Sequence, residues 1–422
     1  MTASICQIPD DSSKEDSFDF IPLCAPEIRG NEWKYVKECL DTSWVSTVGS
    51  FVDRFECALA DAVGVKFAVA TNSGTSALHV ALLVAGVEPD DEVLTSTLTF
   101  IAPANAIRYV GAWPVFVDAE SQHWQMDPEK AKSFLEYQCH WRKGCLYNRH
   151  TGRRVKAILP VHILGHPVDL DPIRELARKH DLTVIEDASE SLGATYKGRT
   201  VGQLGDIACF SFNGNKLITT GGGGMIVTNN EKWAHRAHHL STQAKDDPLE
   251  YIHGDIGFNY RLTNVNAAIG VAQIEQLESY LDSKRLIATT YDQAFDTVKG
   301  ITPMRQAEWA RSSFWMYTVL INEVEFGIGS RELMRELAAQ NIQTRPLWQP
   351  LHLAPAQRNA YATDCSVAEM LNRNALSFPS SVGLAAPSQT RVIERVIASR
   401  KPSKSLIRPK SYTSANSLKT LA

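Results

Sequence analysis

No apolar run in this sequence approaches the length of about eighteen residues that a membrane-spanning helix requires, and the opening stretch lacks the apolar core of a secretory leader. Neither sign of charge dominates. The formal net charge is −4, which gives no reason to expect nucleic acid or an anionic membrane as a partner. The eight cysteines form no paired framework, so the chain is expected in the cytoplasm with free thiols, Cys57 and Cys209 among them as core residues. Cys139 and Cys145, with His140 and His150 nearby, match no standard zinc spacing. "HRAHH" (235–239) lacks the acid of H-E-x-x-H, and no metal is expected. Two nucleotide signatures are missing as well. Asn215 and Leu217 flank Lys216, which breaks a P-loop, and no G-x-G-x-x-G follows a first strand.

What is present is the pattern of a large globular protein. The 422 residues, 44% hydrophobic and 21% charged, favour two domains. Short β-branched runs ("KFAVAT", "DEVLTS", "WPVFVD", "VKAILPV", "LTVIEDA", "IACFSF", "GMIVTN") alternate with helical periodicity such as "GTSALHVALLVAG" and "DPIRELARKH". Such alternation predicts an α/β fold, a mostly parallel sheet covered by helices on both faces. A long helical region over 263–297 follows, and "SFWMYTVLI" with "SRELMRELAAQ" begins a smaller α/β C-terminal domain. The expected division is a flexible acidic arm over 1–20, a large domain over 21–285, a small domain over 286–401 and a disordered basic tail over 402–422. The segment 137–154, "YQCHWRKGCLYNRHTGRR", interrupts the rhythm and reads as a surface insertion.

Open α/β sheets bind ligands beyond the carboxyl ends of their strands, and three junctions there carry chemistry. In "AVATNSGTSALHV" a strand runs into Ser73-Gly74-Thr75-Ser76 and a helix start, an anion cradle or an ordinary helix cap. In "LTVIEDASESLGA" an apolar strand ends in Glu186-Asp187, and a buried carboxylate there needs a cationic or hydrogen-bonding partner. In "SFNGNKLITTGGGGM" Lys216 sits just before four glycines. A lysine near a phosphate cradle and a buried carboxylate suits a Schiff base with pyridoxal 5′-phosphate (PLP), whose ring nitrogen needs an acidic partner.

Together, "FECALADAVGVKFAVATNSGTSALHVAL", "DEVLTSTLTFIAPANAIRYVGAWPVFVD", "PVHILGHPVDLDPI", "VIEDASESLGATYKGRTVGQLGDIACFSFNGNKLITTGGGGMI" and "GFNYRLTNVNAAIGVAQIEQL" resemble the DegT/DnrJ/EryC1/StrS sugar aminotransferases, PLP enzymes of fold type I. The resemblance covers about residues 21–285 and weakens beyond, although "NIQTRPLWQPLH" and "LSFPSSVGL" continue it. It implies that Lys216 is the Schiff-base lysine and proton shuttle, and that Asp187 pairs with the cofactor's ring nitrogen. It implies further that Gly74, Thr75 and Ser211 hold the phosphate and that the Phe100 ring stacks on the cofactor. Asn259, of "GFNYR", would reach the cofactor phosphate of a neighbouring subunit, which implies a homodimer with shared active sites. His162, of "PVHILG", is expected as a satisfied core residue.

Two departures from the family pattern stand out. Glu190 occupies a place near the cofactor's O3′ where Gln or His is usual, and Gly221-Gly222-Gly223-Gly224 replaces G-E-G-G, which questions the rigidity of that loop. Members in which histidine replaces the lysine are dehydratases, so Lys216 favours a transaminase over a sugar lyase of the same fold. The implied reaction transfers an amine from a donor amino acid, glutamate, to a nucleotide-linked 4-keto-6-deoxy sugar for cell-surface glycan synthesis. The insertion followed by "AILPVHILGHPVDLDP" resembles the subgroup acting on UDP-4-keto-6-deoxy-N-acetylglucosamine, on the legionaminic acid route; "NGNKLITTGG" resembles the GDP-perosamine synthases as well.

Overall fold

Seven of the apolar runs form strands of one sheet: β1 (Phe67–Thr71), β2 (Glu92–Ser96), β3 (Trp113–Val117), β4 (Val155–Leu159), β5 (Thr183–Asp187), β6 (Ile207–Ser211) and β7 (Gly224–Thr228). A short strand far along the chain, β8 (Tyr361–Ala362), completes eight strands in the order β1-β7-β6-β5-β4-β2-β3-β8. All neighbours are parallel except at β7, which pairs antiparallel with both β1 and β6. The structure, a computed structural model, describes residues 20–247 and 249–401; the tail and all of the expected arm but Phe20 lie outside the described residues.

The strands read as continuous apolar runs because both faces of the sheet are covered. Helix Gly74–Val84 packs on one face and is buried nearly all round, which explains its lack of a polar stripe. Helices Ser50–Val63 and Asn264–Ile274 pack on the other. Buried positions on helix Ser50–Val63 are Phe51, Val52, Phe55, Leu59, Ala60 and Val63. Cys57 falls between them on the outward side and is exposed, contrary to its expected place in the core, whereas Cys209 is buried.

Helices Asn264–Ile274 and Leu277–Phe295 account for the long helical region. Beyond it Ile301–Pro303, Tyr317–Ile321 and Ala375–Phe378 form a separate three-stranded antiparallel sheet with its own core of Tyr291, Phe295, Tyr317 and Phe378.

The segment 137–154 is not an irregular insertion. It forms an antiparallel hairpin, Cys139–Arg142 with Cys145–Asn148, turning at Lys143 (φ 50°) and Gly144 (φ 76°). Its anchor is Glu92, the buried first residue of β2, which accepts from Asn148 Nδ2 and Thr151 Oγ1 at 2.8 Å each. Cys139 is buried there with its thiol pushed up to about 12 by desolvation. Among the described residues, no group of three His, Cys, Asp or Glu side chains is disposed to hold a metal ion.

Candidate active site

The carboxyl ends of β1, β2, β4, β5 and β6 open on one cavity of about 430 Å³. Its walls include Gly74, Thr75, Phe100, Asp187, Glu190, Ser211 and Lys216, so seven of the eight residues expected in the site meet there.

The phosphate end is built first by helix capping. Ser73 Oγ accepts the Ser76 amide at 3.0 Å and starts helix Gly74–Val84, a helix start of the kind that favours an anion. Gly74 is required by close approach: a Cβ there would stand 2.7 Å from Ser211 Cβ, so the helix start and the end of β6 can touch only without a side chain. The glycine run returns along the same wall. Gly222 and Gly223 line the cavity, and the loop is tied although it lacks the family's glutamate. Thr220 Oγ1 donates to the Gly222 carbonyl at 2.9 Å, Thr219 Oγ1 accepts the Gly221 amide at 2.9 Å, and Asn266 Nδ2 donates to the Thr220 carbonyl at 2.6 Å.

Strand alternation separates the two acids at the end of β5. Glu186 points away from the cavity and is satisfied by protein. It accepts from the amides of Gly202 (3.0 Å) and Leu204 (2.9 Å) and lies 3.1 Å from His162 Nε2. His162 Nδ1 accepts the Val168 amide at 3.0 Å, so its proton sits on Nε2, facing Glu186, and His162 is the satisfied core residue expected. Burial works to raise the Glu186 pKa, but the hydrogen bonds from His162 and the loop amides outweigh it and hold the carboxyl below the usual range.

Asp187 faces the cavity with far less support. Its Oδ1 accepts the Ser189 amide at 3.0 Å, and burial pushes the carboxyl up despite that bond and the nearby Lys216. Glu190 is likewise raised by burial, against the opposing pull of Lys216 and the Leu164 amide, which donates to Oε2 at 2.8 Å. Lys216 Nζ lies 3.5 Å from Glu190 Oε1. Two desolvated acids thus share one amine, and a ligand bringing a second N–H cation would relieve the deficit.

Phe100 is 56% exposed at the rim, an aromatic face left for a ligand ring. The donor set as a whole fits PLP: a helix start for a phosphate, an acid for a ring nitrogen, an amine for an aldehyde and an aromatic face.

The eighth residue is elsewhere. Asn259 lines a separate, more open cavity of about 820 Å³ with His238, Lys245, Arg261 and Asn264. Trp44, 55% exposed, and Val48, 67% exposed, stand on its rim. Two tryptophans were missed by the sequence reading. Trp315 and Trp348 line the Lys216 cavity, and the Trp315 ring centroid lies 4.1 Å from Lys216 Nζ. Trp315 lies in "SFWMYTVLI" and Trp348 in "NIQTRPLWQPLH", but nothing in either stretch points a tryptophan at a cavity formed by distant strand ends.

Fold and cavity together define a PLP-dependent aminotransferase of fold type I. Residues 26–397 match the DegT/DnrJ/EryC1/StrS aminotransferase family, and the chain belongs to it. GDP-perosamine synthase of Caulobacter vibrioides is 41% identical over 376 residues, 88% of this chain and 96% of that protein. The GDP-perosamine synthase of Escherichia coli O157:H7 is 37% identical over 89% of this chain and 98% of its own. Among solved structures, Helicobacter pylori PseC, an aminotransferase involved in the biosynthesis of pseudoaminic acid, superposes with a TM-score of 0.81 at 25% identity, over 90% of this chain and 99% of that one. The protein is therefore an enzyme, a PLP-dependent sugar aminotransferase. No helix among the described residues is long and apolar enough to cross a membrane.

Proposed function

We propose that the enzyme aminates a GDP-linked 4-keto-6-deoxy sugar, as a perosamine synthase would, with glutamate as the amino donor. The sequence resemblance first favoured a UDP-linked N-acetylated sugar, but two named relatives are GDP-perosamine synthases. The hairpin behind that first reading also sits at the wrong end of the sheet. It is anchored at the amino end of β2, and none of residues 137–154 lines the Lys216 cavity.

One observation carries the catalytic reading: an amine and two desolvated carboxyls meet beside a helix start in one cavity. PLP, when bound, supplies an electron sink for breaking a C–H bond beside nitrogen. Lys216 would hold it covalently at rest and then carry the proton between the donor's Cα, or the sugar's C4, and the cofactor's C4′. Asp187 would keep the ring nitrogen protonated, and Glu190 would hold a proton near O3′. Gly74, Thr75 and Ser211 would bind the phosphate, and Phe100 would cover one ring face.

On this reading residues 21–285 form the cofactor-binding domain and 286–401 the smaller one. Two chains form an isologous homodimer in which Asn259 serves the partner's site. A cytoplasmic place suits the free thiols at Cys24, Cys39, Cys57, Cys139, Cys145, Cys209 and Cys365.

The test supplies GDP-, UDP- and dTDP-linked 4-keto-6-deoxy sugars with glutamate and reads the products by mass. An amino sugar formed fastest from the GDP substrate is expected. Preference for a UDP sugar would overturn the substrate assignment. A deoxygenated product without nitrogen would make the enzyme a lyase. Lys216→Ala should abolish turnover and the visible absorbance of lysine-bound cofactor.

A further inference from the structure

Lys216 sits on a turn, and little within that turn restrains it. Its amide reaches only the Asn213 carbonyl, at 3.0 Å, and Asn213 and Asn215 are exposed. Restraint on the peptide just before it comes from distant parts of the chain. The Asn215 carbonyl accepts the Trp315 indole N–H at 2.7 Å and the Cys24 thiol at 3.2 Å. The Trp315 ring also lies 4.1 Å from the Lys216 amine, within cation–π range. One side chain therefore holds both the carbonyl before Lys216 and the reactive end of Lys216 itself.

Trp315 is itself held by an unusual partner. Lys284, on helix Leu277–Phe295, is 1% exposed. Its ammonium donates to the Trp315 carbonyl at 2.7 Å and to the Ser380 carbonyl, with the Cys24 sulfur 3.9 Å away. Among the described residues it makes no ion pair, and burial draws its pKa below the ordinary lysine range. An ammonium without a counter-ion is costly to bury, and an apolar side chain of the same length would avoid that cost. Stability does not account for a charge here. Geometry does: Cys24, Trp315 and Ser380 converge on it, and the first two also bind the Asn215 carbonyl.

We infer that Lys284 and Trp315 are positioning residues for the Lys216 amine. Lys284 fixes the Trp315 backbone, and Trp315 fixes the carbonyl before Lys216 and the ring beside its amine. The inference rests on the reading of Lys216 as the reacting amine.

Two variants of the holoenzyme test it separately. Trp315→Phe keeps an aromatic ring and removes the N–H; Lys284→Met keeps the length and removes the charge. Each should lower kcat about tenfold or more, as small displacements of a reacting group do, and leave KM for the nucleotide sugar within about twofold. Each should also shift the pH at which the bound cofactor's visible absorbance titrates, a change that loss of stability alone would not produce. The double variant should fall little below the worse single one, because both act on the same carbonyl. Either variant, folded and with wild-type kcat and titration, overturns the inference. A rise in KM alone overturns it too, by placing Trp315 on the substrate. Lys216→Ala, run alongside, separates the failures: if it stays active, the reading of Lys216 is wrong, and if it is dead while both variants behave as wild type, only the positioning role is wrong.

Discussion

At the scale of single residues the site is a problem of unequal acids. Glu186 and Asp187 are neighbours on β5, yet one is satisfied by protein and the other is left to a ligand. Burial raises the Asp187 pKa, so between the ordinary aspartate range and that raised value the folded protein binds more protons than the unfolded one. Its contribution therefore turns against folding as pH rises through this window. Asp187→Asn removes the ionisation while keeping the shape. Without cofactor, the variant should melt no lower than wild type at neutral pH, and its advantage should shrink as pH falls to the ordinary aspartate range. Calorimetry from about pH 4 to about pH 8 would check this. With cofactor the order reverses in function. The amide cannot hold the ring-nitrogen proton as an ion pair, and turnover should fall at least about a hundredfold.

Elements meet here with little tolerance. Helix Gly74–Val84 starts against the end of β6, and Gly74→Ala would drive a methyl to within 2.7 Å of Ser211 Cβ. Overpacking of this kind costs about 1–3 kcal/mol. The displaced helix start should also weaken cofactor binding about tenfold, read by equilibrium titration. The hairpin of Cys139–Arg142 and Cys145–Asn148 makes the opposite case, an element that matters for stability and not for chemistry. Asn148→Ala would strip one donor from the buried Glu92 and should cost about 1–3 kcal/mol in urea unfolding. Relative rates with GDP and UDP sugars should not change, because the hairpin lies at the far end of the sheet. Strands and helices of the large sheet were legible because their runs are apolar and β-branched over five residues each, bounded by turn residues. The hairpin was not legible, since its strands are only four residues long and the first turns Trp141 and Arg142 outward, so no apolar run marks it.

The whole molecule is proposed to work as two chains. Asn259 lies away from the Lys216 cavity of its own chain, beside exposed Trp44 and Val48. If it serves the partner's site, Lys216→Ala kills the site on its own chain while Asn259→Ala weakens its partner's. A mixed dimer then has one doubly damaged site and one intact site. Mixing the two variants under conditions that exchange subunits should raise activity above either parent. Exchange demonstrated by native mass spectrometry, without any gain in activity, would confine Asn259 to its own chain or to no site.

Asp187 and Gly74 could be read from the sequence because one stands at a strand end and the other at a helix start, where a few adjacent residues decide both conformation and exposure. Lys216, on the turn after β6, was marked by the glycine run that follows it, and Ser211 by the family resemblance. Their convergence follows from parallel strands that deliver all their carboxyl ends to one edge. Glu186 shows the limit of that reading: its acid was visible, but the histidine and loop amides that neutralise it come from other loops. The places of Trp315, Trp348 and Lys284 beside the site lay beyond it, although the first two fall in stretches the sequence singles out. Lys284 reads as one more charge on a helix, and only the packing of that helix against the Trp315 and Ser380 backbone leaves its ammonium without water. Local sequence determines which groups can react; which side chains hold them in place depends on contacts across a hundred residues of chain, and tertiary packing alone decides those.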